Sequence, residues 1–216
     1  MTCISRKGKS KVKISIDGQQ IEQVSQFECL GSTISDDGYC DKEIKSRIAM
    51  ARIVFQDTKK LFIGKMDLEL KKRIIKCLVW SVATYAAETW TLMKVDKRRI
   101  EAFNMWIRRR MERISYMDKV TNEDVLKRVD EDRSILNGIW QRKHRWIGHA
   151  LRRDSFLHKI FEGRMMGKKT RGRRRIQTLH DLMVNSNCAT LKQTAVERVP
   201  WRHNRRISST CSIAED

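Results

Sequence analysis

A single proline, Pro200, stands among 216 residues. Proline and glycine are the strongest local breakers of regular structure, so one proline and ten glycines favour long helices over many short strands. The N-terminal end departs from that expectation. In residues 11–24, Val12, Ile14 and Ile16 alternate with polar residues, Asp17-Gly18 has the composition of a two-residue hairpin turn, and Ile21 and Val24 continue the return strand. Residues 27–34 read as a third short strand, turned by Ser35-Asp36-Asp37-Gly38.

From Asp41 the period becomes helical. Ile44, Ile48, Ala51, Phe55 and Phe62 recur along one face, and Gly64 closes that helix. Asp67 is placed to cap a second helix over residues 68–87, apolar nearly all round in its second half, which makes it central and makes Cys77 a small core residue. Asp96 opens a third, with a stripe of Ile100, Phe103, Ile107, Met111 and Ile114 that leaves Arg108-Arg109-Arg110 on its open side. Thr121 and Asp124 have the spacing of a capping box. Residues 132–153 are amphipathic through Ile135, Leu136, Ile139, Trp140, Trp146, Ile147 and Leu151, and further short helices are expected over 176–183 and from Thr190.

The expected fold is mainly α: a short N-terminal β-hairpin plus strand, then a helical bundle and a basic loop with short helices. The segments are the hairpin and strand over 1–38, a helical bundle over 39–118, a helical extension over 119–162, a flexible basic loop over 163–175, short helices over 176–202 and a disordered tail over 203–216.

Charge restricts the partners. Lys plus Arg number 46 against 26 Asp plus Glu, a formal net charge of +20 with a pI near 10.1. Like charges on one domain repel, and a polyanion offsets that repulsion while releasing its condensed counterions. RNA, DNA or an RNA–DNA hybrid is the expected partner. The phosphate-contacting candidates are Arg108, Arg109 and Arg110, then Arg152 and Arg153, then Lys168, Lys169, Arg171, Arg173, Arg174 and Arg175. The last group lies in residues 163–175, which hold seven basic residues and no acidic one; short basic runs of this kind also serve as localisation signals. Arginine suits bidentate phosphate contact.

Catalytic groups are not evident. Asp36-Asp37 could hold divalent metal for phosphoryl transfer, but Ser-Asp-Asp-Gly is turn composition and no third carboxylate is placed with it. His144 and His149 project about 140° apart on a helix and cannot chelate one metal, and His149 reads as packed or capping. The six cysteines have no CxxC spacing, so no metal and no cofactor is expected in this chain, and scattered thiols fit a reducing compartment, nucleus or cytoplasm. The most apolar run, residues 74–87, is fourteen residues long and carries Lys76, short of the roughly 20 residues a membrane span needs.

Several blocks resemble the non-LTR (LINE-type) retrotransposon endonuclease/reverse transcriptases. Phe27-Glu28-Cys29-Leu30-Gly31-Ser32 resembles the F-x-Y-L-G-S segment that ends their palm, and Asp41-Lys42-Glu43-Ile44-Lys45-Ser46-Arg47-Ile48-Ala49 the helix that follows it. Tyr85-Ala86-Ala87-Glu88-Thr89-Trp90 is similar to Y-G-A-E-T-W, and Arg145-Trp146-Ile147-Gly148-His149-Ala150-Leu151-Arg152-Arg153 to W-x-G-H-x-x-R-R. Gly172-Arg173-Arg174-Arg175 and Trp201-Arg202 resemble a late basic run and a W-R pair. The blocks keep the family's order; Cys29 stands in place of an aromatic and Ala86 in place of glycine.

The resemblance implies the end of the palm, the thumb and the C-terminal extension of an RNA-directed DNA polymerase, with Leu30 and Gly31 near the primer terminus. The family's polymerase carboxylates, which take Mg²⁺ in the full-length enzyme, lie upstream of the Leu-Gly segment. No polymerisation is therefore expected from this chain alone. The alternatives are a basic nucleic-acid-binding module recruited by the host and a non-functional retroelement remnant.

Overall fold

In a computed structural model of the protein, which describes residues 14–63, 66–131, 134–153, 157–159, 188–199 and 201–202, short antiparallel hairpins precede a series of helices. The chain divides into two units, one made of Met1–Tyr85 with Leu92–Arg98 and the other of Ala86–Thr91 with Arg99–Asp216.

The first unit opens with β1 (Ile14–Ile16) and β2 (Gln19–Ile21), paired Ile14 to Ile21 and Ile16 to Gln19. Asp17 and Gly18 both take positive φ, 50° and 79°, as the tight primed turns of hairpins require. The single strand expected over 27–34 is instead a second hairpin, β3 (Gln26–Cys29) and β4 (Ser32–Ser35), with Phe27 opposite Ile34 and Cys29 opposite Ser32. It turns at Leu30 and Gly31, with φ of 50° and 74°. A leucine in the left-handed region costs about 1–2 kcal/mol, so the turn depends on contacts made elsewhere.

The core of this unit is helical. On α1 (Asp41–Asp57), Ile44, Ile48, Ala51 and Phe55 are buried. The helix breaks at Thr58, whose hydroxyl donates to the Val54 carbonyl at 2.7 Å and competes with continuation of the backbone ladder. It resumes as α2 (Lys59–Ile63), where the Phe62 ring stacks on Phe55 at 5.2 Å. The helix expected over 68–87 is α3 (Leu68–Ile74), a π-helical turn (Ile75–Val79) and α4 (Trp80–Ala83). α1 packs on the π turn and on α4, burying Ile75, Val79 and Ala83. The inserted π turn shifts the side-chain register, and Cys77 is exposed, not a core residue. α5 (Lys94–Met111) starts here, with the Asp96 carboxylate accepting the Met93 N–H at 3.3 Å, and continues into the second unit.

In the second unit α5 buries Ile100, Phe103, Ile107 and Met111 of the stripe read from the sequence, and Ile114, its fifth member, lies beyond the helix end and is half-buried. α6 (Asn122–Val129) begins with the expected cap: Thr121 Oγ1 accepts the Asp124 N–H at 3.2 Å and donates to its carboxylate at 2.7 Å. α7 (Ser134–Arg152) packs on the 3-10 turn Ala87–Thr89, and the buried Lys143 donates to the Trp90 carbonyl at 2.9 Å. α8 (Cys188–Val196) lies along α7, and Trp140, Ile147, Leu151, Ala195 and Trp201 share one core cluster.

Trp201 fixes the end of the described chain. Its indole covers Gly148, where an added Cβ would collide with the ring. The ring stacks on His144 at 3.9 Å and donates to the His144 carbonyl at 3.2 Å. His144 is thus the packed histidine, while His149, expected as packed or capping, is exposed in the last turn of α7.

Ala86 has φ of 54°. The left-handed conformation favours glycine at this position. Ala86→Gly is expected to raise stability by about 1 kcal/mol, after the entropy glycine adds to the unfolded chain is subtracted. Chemical denaturation of both proteins checks this, and an unchanged or lower midpoint contradicts it.

Candidate nucleic-acid interface

The Leu30–Gly31 turn is held by side chains from two remote segments. Glu43, on the first turns of α1, accepts the Thr33 N–H at 2.7 Å and the Ser32 hydroxyl at 3.1 Å. One helical turn on, Arg47 Nε donates to Glu43 at 2.7 Å, and its Nη2 donates to the Gly31 carbonyl. The Arg47 guanidinium lies 4.4 Å from the centre of the Tyr85 ring, whose hydroxyl donates to the Leu30 carbonyl at 2.9 Å. Both turn carbonyls are therefore fixed, and the Leu30 side chain is left 87% exposed at the tip.

Burial raises the Glu43 pKa, but the Thr33 N–H, the Arg47 bond and charge and the Ser32 hydroxyl outweigh it and hold the carboxyl below its ordinary value. A depressed folded-state pKa gives stability that is present above the unfolded value, near 4.5, and lost as pH falls through the folded one. Glu43→Gln is expected to cost about 3 kcal/mol at neutral pH, with the gap to the parent closing below pH 4.5. Thermal melts at neutral and acid pH check this; a gap independent of pH contradicts it.

The three consecutive arginines of α5 do not form one surface. Successive residues point about 100° apart on a helix. Arg108, expected on the open side, is 3% exposed and donates to the Glu131 carbonyl and carboxylate, both at 3.0 Å. Arg109 donates to the Val120 carbonyl at 2.8 Å and the Asn122 side chain at 2.9 Å. These two tie residues 120–131 to α5. Arg110 is exposed, with its guanidinium 4.4 Å from the centre of the Trp106 ring. Asn104, one turn before Arg108 on the flank of the apolar stripe, is buried too.

At the end of α7, Arg152 donates to the Ala195 carbonyl at 3.0 Å, and Arg153 is exposed. Burial first, then repulsion from Arg198 and Arg202, lowers the Arg152 pKa below the ordinary arginine value. Sequence reasoning misses Arg198, because its neighbourhood depends on Trp201 folding back onto Gly148. Lys168, Lys169, Arg171, Arg173, Arg174 and Arg175 lie outside the described residues.

Asp37 is engaged in the turn itself. Asp37 Oδ1 accepts the Ser35 hydroxyl at 2.5 Å and the Tyr39 N–H at 2.9 Å, which closes the turn after β4. Among the described residues, no group of three or more His, Cys, Asp and Glu is placed to hold a metal ion. No helix among them is long and apolar enough to cross a membrane.

No family model matches the chain, and no solved structure matches it. It is similar to an uncharacterized transposon-derived protein of Caenorhabditis elegans, with 24% identity over 137 residues, 62% of this chain and 49% of the relative. The matched part thus spans about half the length of that relative.

Proposed function

We propose that this chain is of retrotransposon origin and is the nucleic-acid-holding part of a non-LTR reverse transcriptase: the end of the palm, the thumb and the C-terminal extension. In this role it grips template-primer or element RNA by the backbone, in the nucleus or cytoplasm, and does not polymerise by itself.

The observation that carries this is the meeting of three separate resembling blocks at one hairpin tip. Leu30 and Gly31 come from the first block, Glu43 and Arg47 from the second and Tyr85 from the third, joined by the hydrogen bonds of the turn. A rigid tip with an exposed apolar side chain suits contact with the sugar and base edge of a strand end, where position matters more than sequence. Likeness to a transposon-derived protein supports the origin, and the net charge of +20 supports a polyanionic partner. A duplex held this way is distinguished by backbone and shape.

Fluorescence anisotropy with an RNA–DNA hybrid, duplex DNA and single-stranded RNA, together with primer extension in Mg²⁺, tests the proposal. Expected are tight binding at low salt, a steep loss of affinity with added salt, little dependence on base sequence, and no extension. Absence of binding at low salt, or template-dependent synthesis by the purified chain, would overturn it.

A further inference from the structure

The arginines of the second unit are not distributed as a solvated face would distribute them. Trp201 sits on Gly148, one helical turn before Arg152, so Arg202 is carried to the end of α7. The Trp201 N–H donates to the Glu197 carbonyl at 3.2 Å, which ties the ring to the residue before Arg198. Arg152 is oriented from below by its bond to the Ala195 carbonyl. The Arg152 guanidinium thus sits at the last turn of α8, three residues before Arg198, and Arg202 follows the ring that is seated one turn before Arg152. The charges of Arg198 and Arg202 add to burial in lowering the proton affinity of Arg152.

Among the described residues, none of the three makes an ion pair with a carboxylate. Glu197, adjacent in sequence to Arg198, is exposed and makes no ion pair with them. Arginine stays charged at any physiological pH, so the cluster concentrates positive charge without a carboxylate partner among the described residues. Like charges held close cost stability, and an anion bound among them offsets that cost. A forked guanidinium matches the oxygens of a phosphate, and several converging forks favour that set of oxygens over a small round anion such as chloride.

We propose that Arg152, Arg198 and Arg202 form a phosphate-binding site that takes a phosphodiester of a nucleic-acid backbone. The site deepens the proposed function and rests on it for the source of the phosphate. The Trp201–Gly148 contact is its positioning device: it converts two arginines remote from α7 in sequence into partners of Arg152.

Arg198 and Arg202 are both exposed, so Arg198→Ala/Arg202→Ala leaves the core packing intact. In the full chain this variant is expected to bind a labelled RNA–DNA hybrid at least about tenfold more weakly, with a salt slope shallower by about two counterions. Its melting temperature at low salt should equal or exceed that of the parent, because the repulsion is relieved. Inorganic tripolyphosphate should raise the melting temperature of the parent and not of the variant, while a nucleic-acid source is marked by the hybrid displacing tripolyphosphate. If the parent binds the hybrid and the double variant binds it equally well with the same slope, the site is refuted and the broader function stands. If the parent fails to bind any nucleic acid, the broader function falls, and the tripolyphosphate shift then decides the site alone: a shift lost in the variant supports an anion site, and no shift in the parent refutes it.

Discussion

The first unit depends on the ion pair between Glu43 and Arg47. Their side chains are only 4% and 10% exposed, and a buried pair is stable only when the remaining donors and acceptors are satisfied. Here they are satisfied by the hairpin itself. Glu43 takes the Thr33 N–H and the Ser32 hydroxyl, and Arg47 takes the Gly31 carbonyl and the face of Tyr85. A two-stranded hairpin is marginal on its own, and one with leucine in a left-handed conformation more so. The pair turns that weak element into a fixed tip, and Tyr85 completes it by holding the Leu30 carbonyl. The geometry at Leu30 and Gly31 is thus a consequence of electrostatics on the adjacent helix.

The second unit uses an aromatic ring where the first uses charge. Trp201 lies flat on the backbone gap left by Gly148 and against His144. Its burial, with that of Ala195, anchors the segment after α8 to α7. The consequence of that anchor is electrostatic: Arg198 and Arg202, on either side of the ring, add to burial in lowering the proton affinity of Arg152. The two units fix exposed side chains by different physical means.

The positive charge is therefore divided between two tasks. Arg47, Arg108 and Arg109 hold carbonyls and carboxylates of the protein itself, whereas Arg110, Arg153, Arg198 and Arg202 are exposed. Counting charges overstates an interface for this reason. The helical stripes are legible in the sequence because burial imposes a 3.6-residue period on them, as Ile44 to Phe55 and Ile100 to Met111 show. The Asp17-Gly18 turn is legible because its residues favour positive φ. The Leu30–Gly31 turn is not, because leucine is not a turn residue and its conformation is set by Arg47 and Tyr85. The π turn at Ile75–Val79 leaves no mark in the pattern, so Cys77 reads as buried. Arg198 is illegible for a third reason: its partners are fixed by a tertiary contact between Trp201 and Gly148.

The clamped hairpin tip is the element proposed to meet nucleic acid at a strand end. Hydrogen–deuterium exchange of the full chain, free and saturated with an RNA–DNA hybrid, tests this most directly. Slower exchange at residues 29–33 is predicted when the hybrid is bound. Unchanged exchange there, with the hybrid bound and other segments protected, would contradict it.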